Sequence, residues 1–165
     1  MPRPRGRTSP APFVLDTHVW IWLMEGLTSD LSDATVSAIE EAIQKGVKGV
    51  VVVSAGFREV GPEGRAIEDR LVAMCREAGV RMVGPNCLGV INPHASVRLN
   101  ASFSARMPSS GNISFISQSG ALCTAVLDFA AARDFGFSKF ISIGNKADVD
   151  ELDLLQYLHQ DMDTD

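Results

Sequence analysis

The chain has 165 residues, of which 45% are hydrophobic and 21% charged, and a formal net charge of -5. This is the size of one compact domain or of pieces of two, and it is too apolar to remain disordered. The acidic balance argues against a protein that wraps nucleic acid, which needs clustered Lys and Arg to neutralise phosphates. The main basic cluster, Arg3, Arg5 and Arg7, lies in a Pro-rich tip. Three cysteines, Cys75, Cys87 and Cys123, are too far apart for the close pairs of a zinc site and too few for a disulfide framework. They suit a reducing cytoplasm. No segment spans a membrane: the apolar run Phe13 to Met24 is short and is broken by Asp16 and His18.

In chain order, residues 1–12 read as a flexible leader, with a short organelle-targeting role as the alternative. Phe13 to Leu15 reads as a short strand, and Asp16 or Thr17 as the cap of a helix carrying Trp20, Trp22 and Met24. Ser32 or Asp33 is placed to cap a second helix, with Val36, Ile39, Ala42 and Ile43 on one face and Gly46 closing it. Val47 to Ser54 is a near-continuous β-branched run. Continuous apolarity predicts a strand buried on both faces, as in a parallel sheet. A loop at Ala55 to Phe57 leads to a helix over about 63–78, ended by Gly79, and to a strand at Val80 to Val83. Strand, helix, strand predicts a right-handed βαβ unit. Asn92 to Gly111, rich in Pro, Ser and Asn, reads as a linker or long excursion. A second βαβ unit follows: strand 112–116, turn 117–120, helix 121–133 and strand 137–143. A capped helix over 148–158 and an acidic tail complete the pattern.

Two strand ends carry the chemistry. Ser117-Gln118-Ser119-Gly120 joins a buried strand to a helix, where unpaired N–H groups and the positive dipole end suit phosphate or carboxylate. The plainer reading is that these serines only cap the helix. Gly84 to Gly89 lies at the carboxyl end of a parallel strand, where open α/β sheets bind ligands. There Asn86 offers donors and an acceptor, and Cys87 is either a thiol contact or a small buried hydrophobe. Ser54 to Phe57 belongs to the same edge.

The blocks SAGFREVGPEG, RMVGPNCLGVINP, LNASF, GNISFISQSGAL and GFSKFISIGNKADVDELDLLQYL, over about residues 45–163, resemble ADP-forming acyl-CoA (acetyl-CoA) synthetases of the succinyl-CoA ligase alpha-subunit superfamily. The resemblance implies an α/β fold: a Rossmann-like βαβ followed by the first βαβ of a flavodoxin-like ligase domain, both incomplete. The implied division is a leader at 1–12, a segment of other character at 13–43, part of a CoA-binding domain at 44–108, and part of a ligase domain at 109–165. It implies that Ser54, Gly56, Phe57, Asn86 and Cys87 lie along coenzyme A, near its thiol end. It implies that Ser117, Gln118, Ser119, Gly120, Ala121, Gly144 and Asn145 face a phosphate.

The implied reaction is acyl-CoA + ADP + phosphate ⇌ acid + CoA + ATP through a phosphohistidine, with an ATP-grasp subunit or domain supplying ADP/ATP and Mg²⁺. The partners implied are CoA, phosphate, a small carboxylic acid and that subunit, in the cytoplasm, with no nucleic acid and no membrane. None of His18, His94 and His159 lies in the small-residue loop where the family's phosphorylated His is found, so the chain alone is expected to be inactive. Residues 13–43 resemble instead the start of a PIN-domain ribonuclease. There Asp16 would be a Mg²⁺ ligand (otherwise a helix cap), with Glu59 as a possible second carboxylate. The alternatives are thus a Mg²⁺-dependent ribonuclease or a non-catalytic module that pairs with an ATP-grasp subunit.

Overall fold

The computed structural model describes residues 28–165. The leader, the strand at 13–15, the Trp-bearing helix, His18 and Asp16 all lie outside the described residues. Helix α1 (Thr28–Gln44) opens earlier than a cap at Ser32 or Asp33 predicts. Several Ser, Thr and Asp residues in this stretch satisfy the capping rule, so the sequence does not select one. Strand β1 (Gly49–Val51), helix α2 (Pro62–Glu77) and strand β2 (Arg81–Val83) form the first βαβ unit, with β1 and β2 parallel. Gly79, at φ +67°, ends α2 as a left-handed residue. The β-branched run is regular strand over only three residues, yet its extended path continues: the Val52 N–H donates to Val83 O at 2.9 Å.

The second sheet has the order β4–β3–β6–β5. Here β3 is Gly89–Asn92, β4 is Leu99–Ser102, β5 is Ser110–Ser117 and β6 is Phe137–Ser142, with helix α3 (Gly120–Arg133) linking the last two. β5 and β6 are parallel, as the second βαβ pattern predicts. The segment read as a linker is different: it contains β4, which pairs antiparallel with β3, and β3 in turn pairs antiparallel with β6. The chain leaving the first βαβ unit therefore lays a hairpin on the edge of the second sheet. β4 is four residues of Leu, Asn, Ala and Ser, too short and too polar to show the alternation that identifies a strand.

Three apolar clusters hold these layers. Val36, Ile39, Val52, Phe57, Leu71, Cys75, Val80 and Met82 pack α1 and α2 on the first sheet. Ile91, Cys123, Ala130, Phe137 and Phe140 pack α3 on the second, with Phe115 stacked on Phe140 at 4.9 Å. The third cluster, Ile141, Ile143, Val149 and Leu154, takes in Val83 from the first sheet, so the two sheets share apolar contact.

Helix α4 (Glu151–Leu158) is capped by Asp150, whose carboxylate accepts the Leu152 and Asp153 N–H groups at 2.9 and 3.1 Å. Asp148, expected inside this helix, precedes it and binds back to the first sheet. It accepts from Arg81 at 2.9 Å, Arg76 at 3.2 Å and the Met82 N–H at 2.9 Å. Burial works against its ionisation, but these donors outweigh it and hold the carboxyl below its usual range. A depressed folded-state pKa stabilises fully above the unfolded value and is lost as pH falls below about 4. Asp148→Asn is expected to destabilise the chain by ~1.5–2 kcal/mol at pH 7. The difference from the parent should shrink in urea titrations toward pH 3.

The acidic end is tied down. Lys139, whose side chain is 6% exposed, donates to Asp161 at 2.7 Å and Asp163 at 3.2 Å. The Thr164 hydroxyl bonds Ser114 and Ser138, each at 2.9 Å. His94, read as a solvated residue, has Nε2 3.3 Å from Asp163.

Candidate functional site

Four turns leave the carboxyl ends of β1, β2, β5 and β6, and backbone hydrogen bonds bring them together. The Asn86 N–H donates to Ser54 O at 2.8 Å, which seats the 84–88 turn on the 54–57 loop. The Asn145 N–H donates to Pro85 O at 2.8 Å, and the Ala147 N–H to Gly84 O at 3.0 Å, which seats the turn after β6 on the turn after β2. The Ile143 N–H donates to Ser117 O at 2.9 Å. Gly144, at φ +52°, allows the closest approach: a Cβ there would lie 2.2 Å from Pro85 O and 2.3 Å from Asn86 O.

Within the first group, Asn86 is exposed and φ-positive at 56°. Ser54 is buried. Phe57 is part of the first apolar cluster, so its ring supports the loop from inside. Cys87 likewise faces inward, with Sγ donating to Val52 O at 3.3 Å, and burial pushes its thiol up to about 12. The structure thus favours the buried-hydrophobe reading of the Cys87 side chain. Cys75 and Cys123 are also buried. All three thiols are expected to resist iodoacetamide at pH 8 in the native chain and to react after unfolding, as read by mass spectrometry.

Within the second group, Ser119 caps α3, its Oγ accepting the Leu122 N–H at 3.2 Å, and Ser117 Oγ accepts the Ser119 N–H at 3.0 Å. The capping reading therefore holds for Ser119. It leaves the first-turn N–H groups of Gly120 and Ala121 without intrahelical partners. Space around Gly120 is open: a Cβ there would meet nothing within 4 Å. Gln118 and Ser119 are exposed on the same turn.

Side chains that sequence reasoning passed over link the groups. Glu68, on α2, is buried, with its side chain 1% exposed. It accepts from the Arg58 guanidinium and from the Asn145 amide at 2.9 Å. The same amide nitrogen donates to Glu59 Oε2 at 2.6 Å, and Asn145 Oδ1 accepts from Asn86 at 3.3 Å. Glu59 Oε1 in turn accepts the N–H groups of Gly56 and Phe57 at 2.6 and 3.1 Å. Partial burial opposes ionisation of Glu59, but the Asn145 amide and those loop N–H groups outweigh it and hold the carboxyl below its usual range.

Asn145 thus spends its side chain on Asn86, Glu59 and Glu68, not on the turn at Ser117–Gly120 with which the resemblance groups it. Glu59 sits in this hydrogen-bond net, sharing the Asn145 amide with Glu68. Among the described residues no group of three or more His, Cys, Asp or Glu converges as a metal requires. The signal for Glu68 was present: positions 64, 68, 71 and 75 form one buried face of α2, and a carboxylate on that face needs partners.

Two family models match the chain: a CoA binding domain over residues 31–93 and a succinyl-CoA ligase like flavodoxin domain over residues 110–165. The chain thus carries CoA-binding and succinyl-CoA ligase-like domain sequence, in that order. The chain is 50% identical over 128 residues to an ADP-forming acetate–CoA ligase of Archaeoglobus fulgidus, covering 78% of this chain and 18% of that one. To the alpha subunit of an ADP-forming acetate–CoA ligase of Pyrococcus furiosus it is 50% identical over 118 residues, covering 72% of this chain and 25% of the subunit. A solved acetyl-coenzyme A synthetase of Ca. Korarchaeum cryptofilum, in complex with phosphate and ADP, superposes with a TM-score of 0.75 at 41% identity, over 81% of this chain and 28% of that one.

The chain therefore spans about a fifth to a quarter of the length of these curated relatives. The CoA-binding match begins at residue 31, so residues 31–43, assigned above to a PIN-like start, fall within the CoA binding domain match. No helix among the described residues is long and apolar enough to cross a membrane.

Proposed function

We propose that this chain contributes the CoA-facing loops and the phosphate-facing helix start of an ADP-forming acyl-CoA ligase, acting in the cytoplasm. The observation that carries the reading is the convergence of four strand-end turns, locked by the Asn145 N–H on Pro85 O and by the Asn145 amide between Glu59, Glu68 and Asn86. The loop 54–57 and the exposed Asn86 would hold coenzyme A, with Phe57 and Cys87 acting as buried supports. The Gly120 and Ala121 N–H groups, with Ser117, Gln118 and Ser119, would face the phosphoryl group.

The reaction proposed for the whole enzyme is acyl-CoA + ADP + phosphate ⇌ acid + CoA + ATP, through a phosphohistidine. Among the described residues, His94 pairs with Asp163 and His159 is the C-cap of α4. The phosphorylated His, like the nucleotide and Mg²⁺ sites of an ATP-grasp partner, is therefore assigned to parts of the enzyme beyond these residues.

The test is CoA binding by calorimetry on the purified chain. CoA is expected to bind, and Asn86→Ala to weaken it about tenfold, the loss of ~1.4 kcal/mol. A folded chain with no measurable CoA binding would contradict the reading.

A further inference from the structure

The turn after β6 touches both halves of the site. On one side, Gly56 donates its N–H to Glu59 Oε1 at 2.6 Å, and Glu59 Oε2 accepts from Asn145 at 2.6 Å. On the other, Lys146 Nζ lies 3.1 Å from both Glu151 oxygens, and Glu151 Oε1 accepts from Gln118 Nε2 at 2.7 Å. Asn145 and Lys146 are neighbours in sequence. Gly56 in the CoA-side loop and Gln118 in the phosphate-side turn are thus joined by one unbroken series of hydrogen bonds, salt bridge and peptide.

We propose that Asn145, Lys146 and Glu151 are positioning residues that couple the two halves, so that an anion at the 117–120 turn tightens CoA binding. The inference rests on the reading above for where the two ligands sit. The turn is held at its base by Pro85 O and Gly84 O, and Lys146 adopts a left-handed φ of 46° that its neighbours must maintain. Its outer side is held through Glu151, whose side chain is 40% exposed. An anion that orders Gln118 orders Glu151 and Lys146 with it. Part of the entropic cost of fixing Asn145, and through Glu59 the Gly56 loop, is then already met before CoA arrives. Coupling of this kind is reciprocal between the ligands.

The experiment measures the CoA dissociation constant of the full chain by calorimetry, with and without saturating inorganic phosphate. The parent is expected to bind CoA about fivefold or more tightly with phosphate present. Glu151→Gln and Lys146→Met, whose side chains are 40% and 39% exposed, are expected to leave the phosphate-free constant within about twofold and to bring the ratio close to one. Asn145→Asp, which keeps one acceptor oxygen, is a second way to cut the series if the surface variants are compensated by water.

CoA binding that is indifferent to phosphate in the parent, or weakened by it through competition with the phosphates of CoA itself, overturns the coupling and leaves the CoA site standing. A ratio that survives in all three variants overturns the role of these residues. Failure of the parent to bind CoA at all overturns the reading of the site and the coupling together.

Discussion

Gly144→Ala is expected to destabilise the chain by ~3–5 kcal/mol and to abolish CoA binding at any concentration where the fold survives. The left-handed backbone alone costs a non-glycine residue ~1–2 kcal/mol. The larger part is steric, because the new methyl would meet two backbone oxygens, at 2.2 and 2.3 Å, on the turn after β2. Pro85 O cannot simply retreat, because the Asn145 N–H fixes it, and the same turn is held further by the Ala147 N–H on Gly84 O. The substitution therefore separates the turns whose contact makes the site. Urea denaturation followed by circular dichroism measures the loss. A loss under ~1 kcal/mol would mean that the β2 and β6 turns are not held against each other.

The second large effect concerns the charge inside α2. Arg58→Ala is expected to cost ~2–3 kcal/mol, because it leaves the Glu68 carboxylate buried without its cation. The figure stays below that of a fully buried pair because Arg58 is itself 43% exposed. Glu68→Gln should cost less, since an amide keeps an acceptor for Asn145 and the arginine left behind can turn to water. The double variant should then be less destabilised than the two single losses added. A double-mutant cycle reads this directly. Strict additivity would mean that the two side chains do not interact in solution. The Asn145 amide reaches Glu68 as well, so the CoA affinity of Arg58→Ala should fall along with its stability.

Much of the architecture was legible. The runs at 50–53 and 137–143 announce strands, and Gly79 marks a helix end as its chemistry requires, but the burial expected for the first run is found instead in β6, while Val50 and Val51 are half-buried. The hairpin of β3 and β4 was not legible. Its partner strand is β6, about fifty residues further on, and nothing in VIN or LNAS expresses a pairing decided by that distant edge.

The site was half legible for the same reason. The residues point to the turns at Asn86 and Ser117–Gly120 because strand ends and helix starts have recognisable chemistry, whereas Asn145 entered only through the family resemblance. Sequence does not tell which of their side chains face in. Phe57 and Cys87 turn out to be core residues. Glu68 gave the opposite problem: a carboxylate on the inner face of an otherwise ordinary amphipathic helix is explained only by Arg58 and Asn145, and Asn145 lies in the other βαβ unit.

The account's central claim is that the strand-end turns of both units form a single ligand surface. Hydrogen exchange of the chain with and without CoA tests it most directly. The account predicts that CoA slows exchange together in segments 54–58, 84–88 and 144–146, while the far end of α3 near Arg133 is unchanged. Protection confined to one βαβ unit, or located away from these turns, would contradict it.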